Sequence, residues 1–204
     1  MESRAFQRMT QMEKLITEIQ QKLQEQGRLI VAIDGRCGCG KSSLAERLAK
    51  ELDGNVFHMD DFYLPFVKRP ENWQQIPAGN MDLSRFRAQV LEPLLAGESI
   101  LYRAYACPQD QYRPAVELPI KPLSIVEGSY SQHPFLADAY DYKLFVTADK
   151  TAQTERLRNR EGEHFTAFEA IWMPMEEAYF RAFSVAEQAD RIIYTDIPPK
   201  GDSL

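Results

Sequence analysis

No disulfide framework can be drawn from this sequence. Its 204 residues hold three cysteines, an odd number, and Cys37 and Cys39 lie two apart inside one glycine-rich turn. His58, His133 and His164 are too scattered to complete a structural zinc site with them. The thiols therefore read as reduced, small-residue fillers. The alternative is that the field of a following helix N-terminus lowers a loop thiol's pKa and makes the protein oxidation-sensitive. Long hydrophobic runs are also missing, so no stretch reaches the length of a membrane span. The first residues carry Glu2, Glu13, Glu18 and Glu25 and no apolar h-region, which fits neither a secretory signal nor an acid-poor transit peptide. The expectation is a soluble, cytoplasmic protein with no membrane partner. An excess of positive charge is absent too: the net charge is -6, which argues against a general nucleic-acid binder.

What is present suits one compact α/β domain, since 44% of the residues are hydrophobic and 26% charged. The most informative stretch runs from residue 29 to residue 45. The apolar segment Leu29-Ile30-Val31-Ala32-Ile33 leads into Gly35-x-x-x-x-Gly40-Lys41-Ser42, and good helix formers follow from Leu44. Strand, glycine-rich turn and helix together make a phosphate-binding loop. Its backbone N–H groups and the helix N-terminus would face nucleotide phosphates, Lys41 would reach the β- and γ-phosphates, and Ser42 is the expected Mg²⁺ ligand. The nucleotide-binding residues expected from this loop are Gly35, Arg36, Cys37, Gly38, Cys39, Gly40, Lys41, Ser42 and Ser43.

Taken in order, residues 5–26 place Met9, Met12, Leu15, Ile16, Ile19 and Leu23 at helical spacing, with Gly27 as a stop. This predicts an amphipathic helix packed on the domain. Residues 55–59 read as a strand that ends in Asp60-Asp61, where open α/β sheets place ligands. If the extended geometry persists there, Asp60 and Phe62 share one side and Asp61 turns to the other, to cap the next turn or to reach a Mg²⁺-bound water. Residues 62–81 form an excursion over the site. Asp82 is an N-cap for a helix from Leu83 to Leu95, and equally a substrate contact. Residues 99–105 read as a strand and 107–122 as a loop or hairpin. Glu127, at the end of a strand, would help to hold Mg²⁺ directly or through water. After the strand at residues 142–147, Arg156 and Arg160 share a helix face, which suits clamping a transferring phosphoryl group; pairing with Glu155 and Glu161 on a helix surface is the alternative. Phe165, Phe168, Trp172, Met175, Tyr179 and Phe183 recur at helical spacing, with Pro174 either kinking that helix or opening a second one.

Strand and helix signals alternate, so the expected architecture is a parallel sheet with helices on both faces and right-handed crossovers. The phosphate loop, Met59-Asp60-Asp61-Phe62-Tyr63-Leu64-Pro65, Gly79-Asn80-Met81-Asp82, Tyr102-Arg103-Ala104-Tyr105, Val126-Glu127-Gly128 and the segment from Trp172 to Phe180 together resemble the uridine kinase-like branch of the P-loop kinases. The resemblance covers most of residues 28–194. It implies a P-loop kinase fold with an arginine-bearing lid: 28–197 as the kinase domain, with a substrate-binding excursion at 62–113 and a lid at 150–164; residues 1–27, outside the match, are expected as the extra N-terminal helix and 198–204 as a tail. It further implies ATP and Mg²⁺ as cofactors and a small-molecule substrate with a phosphorylatable hydroxyl. On the same ground Asp60 is the base, Tyr63 lines the nucleoside pocket, Asp82 and Tyr105 match substrate-contacting positions, Lys41, Arg156 and Arg160 serve transfer, and Ser42, Glu127 and Asp61 serve the metal. The favoured acceptor is the 5′-hydroxyl of a pyrimidine nucleoside, with a pantothenate-like or nicotinamide riboside-like alcohol as the alternative. A monomer and a homo-oligomer both remain open. A nucleotide switch or motor fits less well: Thr147-Ala148-Asp149-Lys150 is not a guanine-reading Asn-Lys-x-Asp, and Val126 precedes Glu127-Gly128 and not Asp-Glu.

Overall fold

The computed structural model describes residues 10–196. The expected tail at 198–204 and Met9 of the N-terminal helix lie outside them. Helix α1, Gln11–Gln26, starts one residue after Thr10, whose side chain and backbone trade hydrogen bonds with Glu13 in a capping box, and it stops at the left-handed Gly27. Leu15 and Ile19 are buried against α2, Lys41–Leu52, through Leu44, Ala45 and Leu48. The helical periodicity thus marks a packed face.

The central sheet is built from β1 (Leu29–Gly35), β2 (Gly54–His58), β7 (Leu123–Glu127), β8 (Tyr142–Thr147) and β9 (Arg191–Tyr194), all parallel, in the order β2-β7-β1-β8-β9. Every residue of β1 is buried, because both faces of the sheet are covered. Leu29, Val31 and Ile33 face one apolar layer with Leu15, Leu48 and Val146; Ile30 faces the other with Phe57, Phe86, Phe145 and Tyr179. Because β7 flanks β1 on one side and β8 on the other, the chain reverses its winding direction at β1. That switch point opens a crevice at the carboxyl ends of the strands.

The excursion departs from an all-parallel reading. The stretch expected as one strand breaks at Arg103-Ala104 into β3 (Ile100–Tyr102) and β4 (Tyr105–Ala106), which pair antiparallel with β6 (Val116–Leu118) and β5 (Gln111–Tyr112) respectively. Before it, a helix (α3) runs over 83–96 with Asp82 as its cap and a π-helical turn at Arg87–Leu91; after β8 come α4, Lys150–Glu161, capped by Asp149, and a helix (α5) over 165–183 with a π-helical turn at Phe168–Trp172. Each π turn lies just before a proline, Pro93 or Pro174. A proline lacks the N–H for the carbonyl four residues back and its ring crowds that carbonyl, so the preceding turn widens and the helix continues. Pro174 therefore neither ends one helix nor opens a separate one.

Candidate active site

The loop after β1 is shaped by close approach. Gly35 has φ +137, and a Cβ there would lie 2.0 Å from the Val146 carbonyl oxygen, so only glycine lets β1 run against β8 to its end. The turn closes at Gly40, φ +88, which starts α2; a Cβ at Gly40 would meet nothing within 4 Å, which leaves the loop open on the cavity side. Lys41 is buried, and its Nζ donates to the Gly35 carbonyl at 2.6 Å, the Arg36 carbonyl at 3.1 Å and the Ser129 hydroxyl at 3.3 Å. Cys37, Gly38, Gly40, Lys41, Ser42 and Ser43 line a cavity of about 740 Å³, whereas Gly35, Arg36 and Cys39 stand behind it. The Arg36 guanidinium is engaged elsewhere, by the Glu177 carboxylate and by Thr147 Oγ1 at 2.8 Å. Burial pushes the thiols of Cys37 and Cys39 up from their ordinary range, which makes them fillers and opposes the oxidation-prone alternative.

The ends of β2 and β7 meet the start of α2. Ser42 Oγ donates to Glu127 Oε2 at 3.2 Å, and His58 Nδ1 lies 2.6 Å from Glu127 Oε1. Hydrogen bonding to Glu127 raises the His58 pKa, against the opposing effect of burial. Among the described residues no group of three or more His, Cys, Asp and Glu side chains forms a metal cage. A hydroxyl and a carboxylate are nevertheless the hard-oxygen donors that Mg²⁺ takes when waters and phosphate oxygens complete its shell.

β2 ends at His58, and Met59–Phe62 winds into a 3₁₀ turn, so the extended geometry expected at the Asp60-Asp61 pair does not persist. Asp60 opens onto the cavity, while Phe62 is buried in the core with its ring 4.9 Å from that of Phe86; the two do not share a side. Tyr63 donates its hydroxyl to Asp60 Oδ1 at 2.9 Å. Withdrawal from bulk water raises the Asp60 pKa; the Tyr63 bond opposes this, and the negative Glu127 adds to it. Asp61 faces away and accepts the Tyr102 hydroxyl at 2.6 Å, so the expected metal role is not supported by its position. Asp82 is occupied as the cap of α3, accepting from the Arg85 N–H at 3.1 Å, and Tyr105 is buried with its hydroxyl on Asp110; neither lines the cavity. Across the opening, Arg156 and Arg160 of α4 both line it. Arg156 is tethered to Thr195, through Oγ1 at 2.7 Å and the carbonyl at 3.0 Å, and Arg160 pairs with Glu161.

This geometry has counterparts among solved structures. A possible uridine kinase from Bacillus stearothermophilus aligns with 95% of this chain and 100% of its own, at 23% identity and a TM-score of 0.68. A candidate fructose transport system kinase from Silicibacter sp. TM1040 aligns over 90% of this chain and 99% of its own, at 21% identity and a TM-score of 0.65. The chain has the P-loop kinase fold. A circularly permuted P-loop kinase candidate from Saccharomyces cerevisiae shares it at 12% identity and a TM-score of 0.51, over 92% of this chain and 99% of its own. No family model and no curated protein matches the sequence.

Within the P-loop kinase fold, several residues at or beneath the cavity had been given no site role from the sequence. Glu176 of α5 is buried, accepts the Cys37 N–H at 3.0 Å and is bonded by the Ser129 hydroxyl, which itself touches Lys41; a carboxylate thus tethers the phosphate loop to α5. Asp34 is fully buried and accepts from the Gly35 N–H at 2.7 Å, the Gln132 N–H at 3.0 Å and the Tyr179 hydroxyl at 2.8 Å; burial pushes its carboxyl up to about 6. Tyr130 has φ +73 and a buried hydroxyl without a partner among the described residues. Phe66, Arg69, Cys107, Phe168 and Trp172 also line the cavity. Glu176 and Trp172 had a sequence signal in the segment that carries the resemblance, but Arg69 had none.

Proposed function

We propose that the protein is an ATP-dependent, Mg²⁺-requiring kinase that moves the γ-phosphoryl group of ATP to a hydroxyl of a small metabolite. The observation that carries this reading is one cavity holding Lys41, Ser42 and Glu127 at its phosphate end and the Asp60–Tyr63 pair, 2.9 Å apart, on its wall. Phosphoryl transfer is chiefly positioning and charge stabilisation, and these groups supply both. The loop N–H groups and Lys41 bind the phosphates, with Ser42 and Glu127 as the residues that would hold Mg²⁺. When bound, Mg²⁺ neutralises charge that develops on the phosphate oxygens. Asp60 accepts the hydrogen bond of the attacking hydroxyl and then its proton. Its Oδ1 is held by Tyr63, and a raised pKa makes its carboxylate a better proton acceptor near neutral pH. Arg156 and Arg160 face the transferring group from the lid, which excludes water when it closes.

For the acceptor, the resemblance and the aromatic side chains of Tyr63, Phe66 and Trp172 support the 5′-hydroxyl of uridine or cytidine, and Arg69 in the same cavity supports the alternative, a charged alcohol of the pantothenate-like kind. The direct test is transfer of labelled γ-phosphate from ATP to uridine, cytidine and a panel of other alcohols. Lys41→Ala should abolish transfer and keep the fold by circular dichroism, because its main loss is contact to phosphate oxygens. Near-normal turnover in that variant would sink the kinase reading.

A further inference from the structure

The cavity wall carries a cation that nothing in the proposed transfer chemistry uses. Arg69 lies on the excursion and lines the cavity beside Tyr63, which holds Asp60. Its guanidinium carbon sits 4.4 Å from the Phe66 ring centroid, 5.4 Å from Trp73 and 6.0 Å from Tyr63. Its Nε donates to the Leu64 carbonyl at 3.1 Å, and one terminal nitrogen lies 3.3 Å from Cys107 Sγ. Arg69 is in none of the ion pairs among the described residues; of the two other arginines that line the cavity, Arg160 has a carboxylate and Arg156 is held by Thr195. Among the described residues, three of the five guanidinium N–H groups have no hydrogen-bond acceptor.

The rings decide how this cation persists. Aromatic faces offset part of the lost hydration and fix the orientation of the fork, yet they leave its formal charge in place. Trp73 also meets Trp172 of α5, with centroids 5.6 Å apart, so the cage is braced between the excursion and the lid-side helix. A guanidinium held there, half-buried and without a carboxylate, is a pre-organised receptor for a planar or tetrahedral anion. A wholly neutral acceptor would leave it uncompensated as the lid excludes water.

We propose that the physiological acceptor is an alcohol that itself carries an anionic group, a carboxylate or a phosphate, and that Arg69 binds that group while Asp60 receives the hydroxyl. This rests on the kinase reading for the placement of the acceptor in the cavity.

The test uses alcohols matched except for charge: pantothenate against pantothenol, gluconate against glucitol and glycerate against glycerol, with uridine as a neutral nucleoside. Binding is measured by calorimetry on the full chain, with and without a non-hydrolysable ATP analogue and Mg²⁺. The expected result is that the anionic member of at least one pair binds tenfold or more tighter, the range of a charge-assisted hydrogen bond, and that the preference weakens with added salt. Arg69→Gln should reduce it to less than about threefold, and Arg69→Lys should keep part of it, since the charge remains and the fork is lost. Equal affinity for both members of every pair, including no measurable binding, overturns the proposal. So does tighter binding of uridine than of every anionic alcohol, or an anion preference that survives Arg69→Gln in a folded variant. Binding without ATP reads the preference apart from turnover: a preserved preference in a protein that never transfers phosphate supports the anion site and sinks only the kinase reading.

Discussion

At the scale of single residues, the outcome at Asp60 and Asp61 depends on one turn. Adjacent carboxylates at a strand end differ in role only through the direction each side chain takes, and the 3₁₀ turn sends Asp60 to the cavity and Asp61 to Tyr102. Asp60→Asn should therefore lower kcat by about 10²–10⁴-fold while MgATP still binds, because an amide cannot take the hydroxyl proton. Asp61→Asn should leave kcat within a few-fold of wild type and cost about 1 kcal/mol in stability through the weakened Tyr102 bond. Steady-state assays beside calorimetry and thermal melts decide this; a dead Asp61→Asn with an active Asp60→Asn would move the base by one residue. The pair of acids at the end of a strand was legible in the sequence. Which of them opens to the cavity was not, because side-chain alternation holds only while the strand continues, and this strand stops at His58.

At the scale of elements, the two lid arginines differ by their anchors. Arg156 is tied to Thr195 beyond β9, so its replacement also loosens α4 from the sheet, whereas Arg160 pairs with its neighbour Glu161 and lies over the Phe168 ring, 5.5 Å from its centroid. Arg160→Ala should lower kcat far more than it weakens ATP binding, since its charge matters most as the phosphoryl group leaves. Parallel loss in both constants would show that it merely binds the nucleotide. Helix α1 makes a separate prediction. Leu15 is 1% exposed and packs on α2 and β1, so Leu15→Ala should cost about 2–5 kcal/mol and lower Tm. A Tm within a degree of wild type would show that α1 is dispensable to the core.

At the scale of the whole molecule, Asp34 joins β1, the turn at Gln132 and helix α5 beneath the phosphate loop. Its carboxyl titrates at about 6 in the fold against an ordinary 3.8, so folding favours the protonated acid. The associated stability is present below the unfolded value and is lost as pH rises through about 6, a change on the order of 3 kcal/mol at most. Urea melts from pH 4 to 7 should show this loss in wild type and not in Asp34→Asn, whose absolute stability is lower because its amide N–H opposes a donor. An identical pH slope in the two proteins would remove Asp34 as the titrating group. The sequence alone determined the phosphate loop, the alternation of strands and helices and the apolar face of α1, since each is a local pattern of glycine spacing or hydrophobic period within one element. Only the tertiary structure decided which acid opens to the cavity, that Glu176 reaches Cys37 across 139 positions, that Asp82 and Tyr105 stand outside the cavity, and that Arg69 lacks a carboxylate. Those outcomes depend on what neighbouring elements bring within a few ångströms, and sequence periodicity records the face a residue occupies but not the residue that faces it.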